Sequence, residues 1–343
     1  MNVYADFAVQ KAAELLSIDS PSGYTAEAIA FVKKEFENSG FICAYTNKGG
    51  LIVDLGGKNS DDGLLLCAHC DTLGGMVAEI KNNGRLRIER IGGLSPNNTE
   101  TENCRVITKW NGIYEGTMQL VNASIHVNGD FNSVVRTFDN MEVVLDEDVM
   151  TADDVRALGI SVGDIVCFDP RTRITSKGYI KSRFLDDKLS VAILLGFAKY
   201  LRDEKIVPER RIWLHITVFE ETGTGASASV PAGVTEAISV DMGCIGQGLQ
   251  CNEHQVSICA MDSGGPYHYD VVKKLIEAAR NTDADYAVDV YPHYGSDVEA
   301  ALRGGADIRH GLIGPGVYAS HGYERSHRDA VLNTLKVLKG YII

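Results

Sequence analysis

The chain has 343 residues, of which 45% are hydrophobic, so it can bury a full core as one large domain or as two of ordinary size. Its formal net charge of −13 argues against nucleic acid and anionic lipid as partners, because neither would be attracted over long range. No apolar run approaches the ~20 residues that span a bilayer. The first ten residues lack the basic, apolar and small-residue regions of a signal peptide, in that order. Because the eight cysteines are also irregularly spaced, we expect a cytoplasmic protein.

The first part of the chain is predicted to form two helices and then two strands. Apolar residues recur at helical spacing over residues 4–17, and Thr25 can cap a second helix that reaches Ser39. Two apolar runs, which begin at Leu51 and Leu64, follow as strands. The polar segment KNSDDG between them predicts a turn. A sheet is therefore expected to begin in this region.

The middle of the chain, residues 73–172, changes to short alternating runs that are typical of β-strands. These runs are RLRIERI at 85–91, TMQLVNASIHV at 117–127, MEVVL at 141–145 and DIVCF at 164–168, with one short helix from Thr151. We predict a small all-β unit of barrel type, inserted into an α/β host.

Helices and strands alternate again after the inserted unit, with helices predicted from Val191, from Val271 and over residues 329–339. The host domain therefore consists of residues 1–72 and 173–343. Its predicted fold is α/β, with a mixed sheet flanked by helices.

Three predicted strands end on residues that can bind metal ions. These residues are His69 and Asp71 after the run at 64–68, Glu220 and Glu221 after the run at 211–219, and Asp241 after the run at 237–240. The carboxyl ends of strands are the usual ligand site of an α/β sheet, so we expect these side chains to meet. Adjacent carboxylates can divide the work of metal hydrolysis, one binding a cation and the other accepting a proton from water. Asp71 shares a strand face with His69 and can orient its imidazole.

Each remaining candidate also has an ordinary structural explanation. Asp186 and Asp187 precede an apolar helix and can be helix caps, Asp241 can head a glycine-rich turn, and His321 and His327 can be surface histidines. Taken together, however, these carboxylates and imidazoles form the ligand mixture that suits two divalent, zinc-like ions.

Other site types have less support. Cys67 and Cys70 form a CxxC without a second pair, so a zinc ribbon is disfavoured. The glycine-rich text at 223–227 lacks the lysine of a phosphate-binding loop, and Ser263 lacks the GxSxG context of a serine nucleophile.

The ordered motifs together resemble a known enzyme family. They are PSGY at Pro21, HCDTLG at His69, FLDDK at Phe184, EETG at Glu220, SVDMG at Ser239 and HGYER at His321. In this order they resemble the dinuclear metallo-aminopeptidases of peptidase family forty-two, which includes glutamyl, leucyl and lysyl aminopeptidases. The resemblance covers nearly the whole chain. It implies a zinc-peptidase-like α/β catalytic domain, an inserted β-barrel dimerisation domain and a homo-oligomer, often a tetrahedral dodecamer.

The resemblance also implies a ligand set. Carried over by position, it makes His69 and Asp241 ligands of one ion and Glu221 and His321 ligands of the other, with Asp186 as the bridge between them. The implied cofactor is a pair of divalent metal ions, zinc first, although cobalt and manganese accept the same ligand mixture. His327, six residues beyond His321, is the competing histidine.

The same resemblance makes Glu220 the general base, places Asp71 behind His69, and gives Asp187 the task of supporting the backbone of the bridging acid. Two features depart from the common family pattern. Thr72 stands where many members carry glutamate, and the last motif reads HGYER where a histidine, serine and proline are common.

The implied function is removal of N-terminal residues from a peptide or dipeptide substrate. The segments DTLGGMV and NGRLRIERIGGL resemble the sequences of a bacterial branch of the family that is linked to dipeptide osmolyte systems. The alternative is a related dinuclear deacylase or carboxypeptidase, which would need a cation such as Arg309 or Arg325 to hold a substrate carboxylate. A catalytically silent assembly protein is a further alternative, but Glu220 and every implied ligand are present.

Overall fold

A computed structural model describes residues 1–343, and the chain divides into two compact units. Residues 1–72 and 171–343 form the first unit, and residues 73–170 form the second. The first unit contains a large mixed sheet with helices, and the second contains a closed β-barrel. The predicted fold class is therefore confirmed. None of the helices combines the length and the apolar character that crossing a membrane requires.

The elements are numbered in chain order. The helices are α1 (Asn2–Leu16), α2 (Ala26–Asn38), α3 (Ala152–Ala157), α4 (Leu185–Asp203), α5 (Tyr269–Asn281), α6 (Asp297–Arg303) and α7 (Arg328–Ile342). The strands are β1 (Ile42–Tyr45), β2 (Leu51–Gly56), β3 (Asn59–His69), β4 (Gly74–Ile80), β5 (Leu86–Ile91), β6 (Asn103–Ile107), β7 (Ile113–Leu120), β8 (Met141–Leu145), β9 (Ile165–Phe168), β10 (Arg173–Ile174), β11 (Tyr179–Ser182), β12 (Arg210–Thr217), β13 (Val234–Val240), β14 (Gly243–Ile245), β15 (Val256–Asp262), β16 (Gly265–Pro266), β17 (Tyr286–Val290), β18 (Arg309–Tyr318) and β19 (Glu324–His327).

The large sheet has the strand order β1-β2-β12-β3-β13-β18-β19-β11-β10, and β15 pairs with both β18 and β17. Its central strands β12, β3, β13 and β18 are all parallel to their neighbours in this run. Parallel strands end at the same edge, and the register pairs Thr217 of β12 with His69 of β3. The residues that follow β12 and β13 are therefore delivered next to His69.

Helix α4 lies in the core of the first unit because its sequence is apolar on almost every side. It packs against α1, and Gly196 is the point of close approach. A Cβ atom at Gly196 would lie 2.9 Å from the carbonyl oxygen of Tyr4. The small residue therefore allows the two helix backbones to pack closely over the sheet.

The second unit is a six-stranded barrel with the order β4-β5-β8-β7-β6-β9. It closes because β9 pairs antiparallel with both β4 and β6. The alternating strand pattern places buried apolar side chains such as Leu86, Val106 and Val143 inside. Helix α3 begins with a reciprocal pair of hydrogen bonds, in which the Thr151 and Asp154 side chains each accept from the other's backbone N–H.

Three local predictions differ from the structure. The polar segment predicted as a turn is largely the first part of β3, in which Asn59 pairs with Arg210 of β12 and Gly63 with Val234 of β13 before the regular register with β12 begins at Leu64. The strand predicted over 117–127 ends at Leu120, and a turn follows in which the carbonyl of Ser124 accepts two backbone hydrogen bonds. Thr25 stands at the N-cap position of α2, but its side chain makes no capping hydrogen bond.

The packing of β18 against the end of β13 generates a stability prediction. A Cβ atom at Gly314 would lie 1.3 Å from the carbonyl oxygen of Asp241, so Gly314→Ala must displace backbone beside the site. We expect the melting temperature to fall by about 5 °C or more. Gly246→Ala is the matched control, because a Cβ atom there meets nothing within 4 Å. Equal melting temperatures for the two variants in a thermal scan would contradict the prediction.

Candidate metal centre

The sheet edge holds the predicted ligands because buried strands fix where their last residues lie. His69 is the final residue of β3, Glu220 and Glu221 follow β12, and Asp241 follows β13 directly. The backbone N–H of Asp241 donates to the carbonyl of Ile313, 2.9 Å away, so this residue stays in line with β18.

Asp186 lies between the two histidines. Its Oδ1 atom is 3.0 Å from His69 Nε2, and its Oδ2 atom is 3.4 Å from His321 Nε2. His321 Nε2 also lies 3.7 Å from Glu221 Oε2. One carboxylate thus contacts imidazoles that are more than two hundred residues apart in sequence, which is the geometry expected of a bridging ligand.

The remaining carboxylates surround the other side of His69. Its Nε2 atom is 3.7 Å from Glu220 Oε2 and 4.0 Å from Asp241 Oδ2. Ligand atoms lie within 4.8 Å of one another in two sets that share His69: Asp187 and Asp241 complete one, and Asp186 and Glu221 complete the other. In the set with His69 and Asp241, the structure therefore places Asp187, whereas the family resemblance implied Asp186. The peptide bond between Asp186 and Asp187 is cis.

His69 is oriented through main-chain contacts. Its Nδ1 atom lies 2.9 Å from the carbonyl oxygen of Asp71, and a carbonyl only accepts, so Nδ1 carries a hydrogen. The Asp187 carboxylate accepts from the backbone N–H of His69 at 3.1 Å. In the neutral imidazole, Nε2 therefore presents its lone pair to carboxylates, an arrangement that requires a proton or a metal ion between them.

The carboxylate of Asp71 has a task that the sequence did not reveal. It accepts hydrogen bonds from the backbone N–H groups of Glu220 at 3.2 Å and Glu221 at 3.3 Å, and from the Ser22 hydroxyl at 2.5 Å. Asp71 thus orients His69 with its carbonyl and fixes the turn that carries both glutamates with its side chain.

Glu324 is a buried residue that sequence reasoning missed. Its carboxylate accepts from the backbone N–H of Asp186 at 3.1 Å and from that of His321 at 3.0 Å. Burial raises its pKa to about 8. Glu324 lies within the HGYER motif, three residues after His321, and that proximity was the available signal.

Asp297, at the start of α6, was also missed. It accepts hydrogen bonds from the Thr217 hydroxyl at 2.6 Å and from the backbone N–H of Ala226 at 2.8 Å. Burial raises its pKa to about 6. It therefore anchors the loop that follows Glu220 and Glu221, and no local sequence pattern marks it.

Burial sets the electrostatics of the cluster. It raises the pKa of Asp241 to about 7 and holds the pKa values of Asp187, Glu220 and Glu221 well above their usual range. Burial would also raise the pKa of Asp186, but hydrogen bonds from both histidines lower it below its usual range.

The histidines respond in the opposite way. Burial lowers the pKa of each, but contacts with Asp186 and the neighbouring acids outweigh it, raising the pKa of His321 to about 10 and that of His69 well above its usual range. Without a metal ion, protons thus occupy the centre of the cluster. The buried Oδ1 atom of Asp187 has no hydrogen-bond partner. Both observations fit a site shaped for divalent cations.

His327 lies apart from this cluster in a group with His254 and Asp329. Its Nδ1 atom accepts from the backbone N–H of Asp329 at 3.0 Å and thereby caps α7. Its Nε2 atom lies 2.7 Å from the carbonyl of Lys177, to which it donates. Both ring nitrogens are thus engaged, so His327 has no lone pair to offer an ion.

Comparisons with known proteins place this geometry in context. A family model described as M42 glutamyl aminopeptidase matches residues 49–337. A Bacillus subtilis protein, named "Putative aminopeptidase YhfE", is 44% identical over 329 residues, which are 96% of this chain and 95% of the relative.

Two solved archaeal structures share the fold. The aminopeptidase APDkam598 of Desulfurococcus kamchatkensis has a TM-score of 0.89 at 19% identity, covering 99% of this chain and 95% of that chain. The TET1 peptidase of Pyrococcus horikoshii has a TM-score of 0.86 at 21% identity, covering 98% of this chain and 99% of that chain.

The raised pKa values predict an unusual pH dependence for the metal-free protein. Asp297, Asp241 and Glu324 have folded-state pKa values of about 6, 7 and 8, above the value of about 4 expected when unfolded. The stability that they contribute is complete below pH ~4 and is lost as pH rises through the folded-state values.

We therefore expect the melting temperature of chelator-treated protein to fall between about pH 5 and pH 8. Added zinc should raise it, by an increment that grows with pH, because the ligands must lose their protons to bind metal. Thermal scans across this range, with and without zinc, measure both effects. A flat or rising curve for the metal-free protein would contradict the electrostatic description.

Proposed function

The chain belongs to the M42 glutamyl aminopeptidase family, whose members are metal-dependent peptide-bond hydrolases, and from this premise we propose how its residues carry out aminopeptidase chemistry. The observation that carries the proposal is the convergence of His69 and His321 on Asp186, with Glu220 beside them. The arrangement supplies ligands for two ions and leaves one further carboxylate for proton transfer.

We assign His69 and Asp241 to one ion, Glu221 and His321 to the other, and Asp186 to both. The 3.0 and 3.4 Å contacts of Asp186 with the two imidazoles support its bridging role. The engaged nitrogens of His327 support His321 as the last ligand. Two divalent cations bound there, zinc first, would supply the Lewis acidity that lowers the pKa of a water molecule and polarises the scissile carbonyl.

Glu220 is the proposed general base. Its side chain is 17% exposed, whereas that of the adjacent Glu221 is 5% exposed, so Glu220 is the glutamate that a substrate can reach. It takes a proton from the attacking water and returns it to the amine nitrogen as the peptide C–N bond breaks. Asp71 holds the Glu220 backbone, so the base stays aimed at the same point.

The surplus of carboxylates also supports exopeptidase action. A peptide with a free N-terminus brings an ammonium group, and the five carboxylates Asp186, Asp187, Glu220, Glu221 and Asp241 exceed by one negative charge the four positive charges of two divalent ions. An N-blocked substrate would leave this charge uncompensated. The site thus favours substrates whose N-terminus is free.

The deacylase or carboxypeptidase alternative depended on a cation to hold a substrate carboxylate. Both candidates already have carboxylate partners. Arg309 Nε lies 3.1 Å from Glu236 Oε2, and Arg325 Nε donates to Glu253 Oε1 at 3.2 Å. These pairs weaken the alternative.

We further propose a cytoplasmic, dimer-based homo-oligomer, with residues 73–172 as the dimerisation domain. The P. horikoshii TET1 peptidase assembles into a tetrahedron or a large octahedral shell. In this chain the barrel exposes large apolar residues, including Trp110 at 85% exposure, as well as Ile113 and Val162. All eight cysteines are free thiols, in keeping with a reducing compartment.

Substitution of the base tests the mechanism. Glu220→Gln keeps the side-chain volume and removes the proton acceptor, so kcat should fall by about 10² to 10⁴ while metal content and melting temperature stay near wild type. Glu277→Gln, on the exposed side of α5, is the control and should retain full turnover. Wild-type kcat in Glu220→Gln would remove Glu220 from the mechanism.

A substrate panel tests the exopeptidase assignment. Zinc-loaded enzyme should hydrolyse dipeptide amides with a free N-terminus at least about 100-fold faster than their N-acetyl counterparts, because only the former place an ammonium group beside buried carboxylates. Liquid chromatography of the products gives both rates. Faster cleavage of the acetylated series would instead identify a deacylase.

A further inference from the structure

A strongly cationic pocket includes Tyr323, which is two residues after His321 in the sequence. It has a volume of about 490 Å³ and is lined by Arg171, Thr172, Arg173, Lys181 and Tyr323. It contains three basic side chains and no acidic one, in a chain whose net charge is −13. The local charge is thus opposite to that of the ligand cluster next to it in sequence.

The cations are brought together by strand pairing. Arg173 of β10 stands directly opposite Lys181 of β11, and Lys181 stands opposite Arg325 of β19. Like charges directly opposite one another destabilise a sheet. Arg325 is compensated by Glu253, but Arg173 and Lys181 form no ion pair within the chain. A bound anion would compensate this pair.

Tyr323 organises the pocket wall. Its hydroxyl donates to the carbonyl of Arg171 at 2.9 Å, and the Arg171 guanidinium lies 4.3 Å from the centre of its ring. The Lys181 ammonium lies 6.0 Å from the same ring. This tyrosine belongs to the HGYER motif, which differs from the common family pattern. Tyr323, a residue in this unusual motif, therefore contacts Arg171 and lies close to Lys181.

The pocket residues and the proposed ligands are close along the chain. Lys181 of β11 is five residues before Asp186, and Tyr323 is two residues after His321. Glu324 connects the two segments, because it accepts from the backbone N–H groups of both Asp186 and His321. Along the chain, the pocket therefore adjoins the part of the ligand cluster that contains His321.

We propose that this pocket binds a carboxylate of the substrate on the leaving-group side of the scissile bond, an inference that rests on the proposed aminopeptidase function. The substrate ammonium is repelled by Arg173 and Lys181 and attracted by the carboxylates around Asp241, so the chain beyond the scissile bond extends toward the cations. Arginine binds carboxylates through its planar fork of N–H groups. The carboxylate is either the C-terminus of a dipeptide or tripeptide, or an acidic side chain next to the scissile bond.

The test compares matched ligands in two backgrounds. Calorimetry measures Kd for Ala-Ala, Ala-Ala amide, Ala-Asp amide and Ala-Asn amide on the zinc-loaded Glu220→Gln protein, with and without Arg173→Gln and Lys181→Met. We expect a carboxylate-bearing ligand to bind more tightly than its neutral counterpart. The pocket substitutions should reduce that preference by about ten-fold, and added salt should reduce it too.

Each pair of ligands tests one possible source of the carboxylate. Loss of preference for Ala-Ala over its amide assigns the C-terminal carboxylate, and loss of preference for Ala-Asp amide over Ala-Asn amide assigns an acidic side chain. Lys274→Met, which removes an exposed cation on α5, is the control and should keep the wild-type preference. Equal Kd ratios with and without the pocket substitutions would overturn the inference.

Two further measurements separate this inference from the function on which it rests. If the pocket substitutions abolish a preference for Glu-Ala amide over Gln-Ala amide, the pocket faces the N-terminal side chain and the inference fails. Lack of turnover of any unblocked peptide by the wild-type enzyme rejects the aminopeptidase function, while the Kd comparison still decides the carboxylate site.

Discussion

Electrostatic repulsion among buried carboxylates is the constraint on which the site depends. Parallel pairing of β12, β3 and β13 delivers Glu220, Glu221 and Asp241 to one desolvated edge of the sheet, where His69 and Asp186 already lie. Burial alone would make these acids bind protons, and the raised pKa values show that tendency. The cluster therefore requires positive charge, which the two proposed divalent ions would supply while leaving Glu220 free to accept a proton.

Two carboxylates outside the proposed ligand set hold the cluster in place through the backbone. Asp71 accepts from the N–H groups of Glu220 and Glu221, and Glu324 accepts from those of Asp186 and His321. Each thus fixes two functional residues at once. Fixing main-chain atoms leaves the side chains of those residues available for metal and substrate. It also compensates backbone donors that would otherwise be buried without partners.

Local patterns in the sequence predicted what depends on neighbours along the chain. Apolar strands that end on His69 and Asp241 were visible, as was β8 over Met141–Leu145. The roles of Glu324 and Asp297 were not visible, because they depend on which segments adjoin in space. Likewise, the polar start of β3 is extended because it pairs at Asn59 with β12 and at Gly63 with β13, which the polarity of its side chains does not indicate.

The difference in burial between the acidic and the basic side chains would give the proposed site a direction. The carboxylates of the ligand cluster are largely buried, whereas Arg173 and Lys181 line an open pocket. Salt screens the exposed charges over a Debye length of ~8 Å at physiological ionic strength and screens the buried ones much less. Salt therefore changes the electrostatic effect of the ligand cluster little, while the pocket acts over a short range. Such a gradient orients a zwitterionic peptide with its ammonium toward Asp241 and its carboxylate toward the cations, before any specific contact is made.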